Sequence, residues 1–81
     1  MCRSIKPLFN LQPTVTDAEV YEAALQFVRK ISGYRKPSKQ NEAPFDQGVQ
    51  EVAIATKRLL GSLTASTPPH GRVIHHHVRS Q

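Results

Sequence analysis

The sequence has one cysteine, no tryptophan and no long apolar run, and each shortage removes a class of protein. With Cys2 as the only thiol, no intramolecular disulfide can form, so the cross-linked scaffolds of small secreted domains are excluded and a reducing, cytoplasmic setting is expected. No stretch approaches the roughly 20 apolar residues of a membrane-spanning helix. Residues 1–7, Met-Cys-Arg-Ser-Ile-Lys-Pro, lack the apolar centre of a signal peptide, so neither export nor membrane contact is expected. Acids are scarce as well: six Asp and Glu stand against eleven Lys and Arg, for a formal charge of +5. That imbalance favours polyanionic partners such as nucleic acid, although it bears on association rather than on fold.

Motifs that carry chemistry are equally sparse. There is no glycine-rich phosphate loop and no dinucleotide fingerprint, and Ser32, Ser38 and Ser62 stand outside any nucleophile motif. Asp17, Glu19 and Glu22 open one helix on its exposed side, while Asp46 and Glu51 fall on or beside the polar side of another, so no carboxylate pair has the cleft that acid–base catalysis needs. His70 and the consecutive His75, His76 and His77 share no helical face and have no spaced cysteine or acid to complete a metal set. No catalytic residue, cofactor or metal site is expected. Cys2 is a candidate redox thiol, because removal of Met1 would leave it beside its own amine and Arg3, both of which favour thiolate; without a His and acid partner, an inert thiol is the competing reading.

What remains is the pattern of a small, mainly helical domain. The 81 residues suffice for one domain, and an ordered portion of about 60 residues buries only about 60% of its unfolded surface, so self-association is a natural supplement. Residues 1–15 carry Ile5, Leu8, Phe9 and Leu11 between Pro7 and Pro13, too apolar for a free tail and too interrupted for a long helix; they read as an arm packed across the helices. A helix is expected over 16–32. Thr16-Asp17-Ala18-Glu19 is a capping box, Val20, Ala24, Phe27 and Ile31 recur at helical spacing with Tyr21, Leu25 and Val28 beside them, and Arg29, Lys30 and Gly33 suit a helix C-terminus.

A loop follows over 33–40, where Pro37 forbids continuation of the helix. A second helix is expected over 41–63, with Asn41 as its N-cap and Pro44 in the first turn, where a missing N–H costs nothing; Ser38, the alternative cap, would place Pro44 deeper, its ring against the Gln40 carbonyl. Phe45, Val49, Val52, Thr56, Leu59 or Leu60, and Leu63 supply its apolar stripe, interrupted only by Gly48. So short a loop makes the two helices antiparallel neighbours, a hairpin that could complete a bundle by dimerising. From residue 64 the composition turns to Ser, Thr and Pro, and 64–81 read as a flexible tail.

Several of these segments also resemble a known family. The run Val28-Arg29-Lys30-Ile31-Ser32-Gly33-Tyr34-Arg35-Lys36-Pro37-Ser38, with residues 1–6, Leu8-Phe9-Asn10, Asn41-Glu42-Ala43, Phe45-Asp46 and Leu59-Leu60, resembles the small bacterial family known as domain of unknown function 2277, over roughly residues 1–63. The resemblance implies no activity, cofactor or partner. Pro44, Gly48 and the Pro- and His-containing tail depart from the family pattern, which bears on the start of the second helix and on the chain beyond it.

The sharpest functional feature is the loop between the helices. Arg29, Lys30, Arg35, Lys36 and Lys39 place five of the eleven basic residues within eleven positions, with no acid between Glu22 and Glu42 and with Tyr34 in their midst. Cations beside a helix N-terminus suit phosphate, and a tyrosine there can stack on a nucleobase. The plainer reading is a hydrated loop whose Arg29 and Lys30 cap a helix and whose other cations pair with Glu42 and Asp46. The leading expectation is a non-catalytic module contacting the phosphate backbone of RNA, a ribonucleoprotein such as the ribosome, or DNA. The alternative is a structural unit that dimerises or docks on a larger protein through its apolar helix faces.

Overall fold

A computed structural model of the chain describes residues 5–72. Its elements are β1 (Leu11–Gln12), α1 (Asp17–Ser32), α2 (Glu42–Ser62) and β2 (His70–Gly71), with a 3₁₀ turn at Lys39–Asn41 leading into α2. The protein is mainly helical, and its core lies where α1 and α2 pack against each other.

Local chemistry sets both ends of α1. The Glu19 N–H donates to Thr16 Oγ1 at 3.2 Å while the Thr16 N–H donates to Glu19 Oε1 at 2.8 Å, so the expected capping box satisfies two donors that no helical carbonyl can reach. At the other end Gly33 takes φ +80°, a left-handed conformation that costs an L side chain energy, and its N–H closes on the Arg29 carbonyl at 2.9 Å.

The start of α2 differs from expectation. Asn41 does stand at the boundary, but its side chain makes no cap: Nδ2 donates instead to the Tyr34 hydroxyl at 3.0 Å. A 3₁₀ turn leads into the helix, with the Asn41 N–H on the Ser38 carbonyl and the Glu42 N–H on that of Lys39. Pro44 lies in the first turn, where it removes a donor that would have had no intrahelical partner.

The buried face of α1 is Val20, Ala24 and Val28, of which Ala24 and Val28 cluster with Phe45 and Val49 of α2, with Leu25, Val52 and Ala53 packed against them. Phe27 and Ile31, expected in the core, are 42% and 66% exposed. On both helices the rows spaced by four face the partner, so residues at the three-residue offset fall to the edge of the contact. Near the other end of α2, Lys57 reaches Asp17 at the start of α1 at 2.9 Å. Both side chains are largely exposed, so the pair marks position more than it contributes stability.

The chain does not leave the fold at residue 64, as its composition suggests. β2 pairs in parallel with β1, Leu11 opposite His70 and Gln12 opposite Gly71, through His70 N–H to the Asn10 carbonyl and Arg72 N–H to that of Gln12. Asn10, at φ +59°, turns its side-chain amide onto the carbonyls of Thr67 and Pro68. Backbone and side-chain bonds thus fasten a segment too polar to be held by burial. Residues 73–81, the remainder of the expected tail, lie outside the described residues, as do Cys2 and His75, His76 and His77.

Candidate anion-binding site

The segment from the last turn of α1 to the 3₁₀ turn holds every basic residue singled out above. Arg29 is fixed by its own loop: Nε donates to the Arg35 carbonyl at 3.1 Å. That bond orients the guanidinium while leaving its two terminal NH₂ groups without a partner among the described residues. A fork of donors held in this way matches the oxygens of a phosphate.

Tyr34 is tied at two points. Its backbone N–H donates to Ser32 Oγ at 3.1 Å, and its hydroxyl accepts from Asn41 Nδ2 at 3.0 Å, with the residue as a whole 40% exposed. Arg29, Lys30, Tyr34 and Arg35 line one depression of about 380 Å³, together with Gln26 and Gly33. Lys36 and Lys39 are exposed beside it and do not line it.

The two ion pairs among the described residues, Lys57 with Asp17 and Arg72 with Glu19, involve none of these five cations. Glu42 and Asp46, the acids that would have neutralised the loop, pair with nothing there, so its positive charge is not cancelled locally. Gln26 and Gly33 were not anticipated as part of the depression. Positions 26, 29, 30 and 33 share a helix face, and that spacing was the available signal. Asn41 was read as a cap because nothing local announces a phenol seven residues upstream.

A second polar cluster was not anticipated at all. Arg72 forks onto Glu19, Nη1 to Oε2 and Nη2 to Oε1, the second bond at 3.0 Å, while Nε and Nη2 also donate to the carbonyls of Pro13 (2.9 Å) and Thr14 (3.1 Å). Glu19 therefore serves the capping box and the C-terminal segment together. The Arg72 hydrogen bonds, and after them the Thr16 N–H, hold the Glu19 carboxyl at a pKa of about 2, well below the usual carboxylate range. The same contact raises the pKa of Arg72. Arginine is ionised at every relevant pH, so Glu19 is the member of the pair that titrates. Four of the five Arg72 N–H donors are thus taken up inside the cluster, which leaves no fork of donors for a ligand.

The third feature is an apolar groove of about 340 Å³ lined by Ile5 and Leu8 of the arm, Ala23 and Phe27 of α1, and Val52 and Leu60 of α2, with Lys6 and Thr56 at its polar points. The Thr56 hydroxyl is occupied with the Val52 carbonyl at 2.7 Å. Among the described residues no three His, Cys, Asp or Glu side chains gather as a metal site. Among the described residues no helix is long and apolar enough to cross a membrane.

No curated protein and no solved structure matches this chain. The family model described as Uncharacterized conserved protein (DUF2277) matches residues 1–77, a span that takes in the arm, both helices, the basic turn and β2, and the chain belongs to that family.

Proposed function

We propose that the protein is a non-catalytic module that binds the phosphate backbone of a nucleic acid through Arg29, Lys30, Arg35, Lys36, Lys39 and Tyr34. The observation that carries this reading is the Arg29 guanidinium, anchored by Nε to the Arg35 carbonyl with its outer donors unpaired, in a segment whose cations have no acid partner among the described residues. A merely hydrated loop needs neither the anchor nor the uncancelled charge. The helices are read as an antiparallel hairpin with this segment at its tip; supporting that arrangement, Asp17 at the start of α1 meets Lys57 near the end of α2.

Fluorescence anisotropy with labelled RNA and DNA tests the reading. If four cations displace counterions from a duplex, affinity falls by roughly two orders of magnitude between about 50 and about 200 mM salt. Arg29→Ala and Arg35→Ala each reduce the slope of log affinity against log salt by about one, without regard to sequence. Absence of binding at low salt, or a slope untouched by both substitutions, refutes it.

A second reading, a structural module that dimerises or docks on a larger protein, is favoured by a different observation. Phe27 stands 42% exposed on the wall of the apolar groove, and Ile54 and Leu59 are 57% and 55% exposed on α2. The two readings are compatible, since pairing through apolar faces leaves the basic segment open.

A further inference from the structure

We propose that the depression at the basic segment receives an unpaired base, so that the polynucleotide it binds is single-stranded; this rests on the phosphate-backbone reading above and narrows it. A site that only follows a phosphate rail needs cations and nothing else. This one has an aromatic ring set among its cations, with Arg29 and Lys30 before it in the chain and Arg35 and Lys36 after it.

The ring is also held. Tyr34 is fastened at its backbone N–H by Ser32 Oγ and at its hydroxyl by Asn41 Nδ2, yet the residue remains 40% exposed. Asn41 thereby gives up the cap expected of it, its side chain making no cap hydrogen bond to α2. A ring held at both ends loses little rotamer freedom when a base stacks on it, whereas a free surface tyrosine must first be ordered.

Shape points the same way. The depression of about 380 Å³ is bounded by six residues, the size of a site for one nucleotide rather than for the rail of a helix. Bases of a duplex are stacked inside the helix and present only their edges, so a tyrosine face gains nothing from them. A splayed base on Tyr34 would leave its flanking phosphates near Arg29, Lys30 and Arg35, which line the same depression. Gln26, whose Nε2 donates a hydrogen bond to Glu22 Oε2 at 3.1 Å, adds a hydrogen-bonding edge at the wall. Stacking of this kind tolerates any base, so the selectivity is for strandedness, not for sequence.

The test compares one labelled oligonucleotide as a single strand, in RNA and in DNA form, with the same strand annealed to its complement, using the full chain at low salt. The single strand binds about 10-fold tighter than the duplex, and Tyr34→Ala costs the single strand about 10-fold more affinity than it costs the duplex, so that the margin closes. Tyr34→Phe keeps stacking and most of the margin, whereas Asn41→Ala, which frees the ring, loses part of it. The chain has no tryptophan, so in a Tyr21→Phe background the emission of Tyr34 is read directly and is quenched by the single strand. Equal affinity for strand and duplex, a Tyr34→Ala loss of the same size on both, or unquenched emission overturns this inference while leaving phosphate binding intact. Failure to bind either form overturns the broader reading with it.

Discussion

Two glycines placed in open space are expected to respond in opposite directions to the same substitution. Gly48 lies within α2, and a methyl group there would meet nothing within 4 Å. Gly48→Ala removes the entropy cost of a helical glycine, adding about 1 kcal/mol and raising the midpoint of thermal unfolding by about 4–8 °C. Gly33 also has room for a methyl group, but its φ of +80° penalises any Cβ, and Gly33→Ala costs about 1–2 kcal/mol. Circular dichroism on both variants checks the pair, and a stabilised Gly33→Ala contradicts the left-handed cap. Thr16, Glu19 and Gly33 were legible in the sequence because each acts within four residues of itself. Asn41 was not, since its amide had two competing uses and the rival partner, the Tyr34 hydroxyl, is brought near only by the turn.

Among the elements, the helices were readable and the strand pair was not, for the same reason of range. Apolar residues at helical spacing announce α1 and α2 from within, whereas β1 and β2 are two residues each and are joined by bonds that span 50 or more positions. So short a pair is marginal alone, which puts weight on Arg72 and Glu19. The Glu19 carboxyl is held at about 2, below the unfolded value near 4.3, so the stabilisation is complete above that unfolded value and disappears as pH falls from there through about 2. Glu19→Gln separates its two duties, because glutamine still completes a capping box but cannot form the ion pair. Near neutral pH the variant is expected to keep α1 while the amides of His70 and Arg72, bonded to Asn10 and Gln12, exchange with solvent faster than in the parent. Unchanged exchange at those two amides shows that the strand pair stands without its clasp.

For the molecule as a whole, periodicity identified two helices that pack together but left open which residues face inward. Val20, Ala24 and Val28 were chosen over Phe27 and Ile31 by the matching row of α2, a preference that emerges only when two surfaces meet. The result is a core of five buried side chains among the described residues, beside a groove with a phenylalanine on its wall. A chain of this size buries too small a share of its surface to spare such residues, and pairing of two copies along the groove would remove Phe27 from water without disturbing the interior. Sedimentation equilibrium from micromolar to millimolar protein is then expected to show a monomer–dimer equilibrium. Phe27→Glu shifts it to monomer by setting two carboxylates against each other, and because Phe27 is already part-exposed the helix content by circular dichroism is retained. A parent chain that stays monomeric and unfolds cooperatively across that range removes the structural-module reading, and a dimer unaffected by Phe27→Glu moves the contact away from the groove, to the face of α2 that carries Ile54.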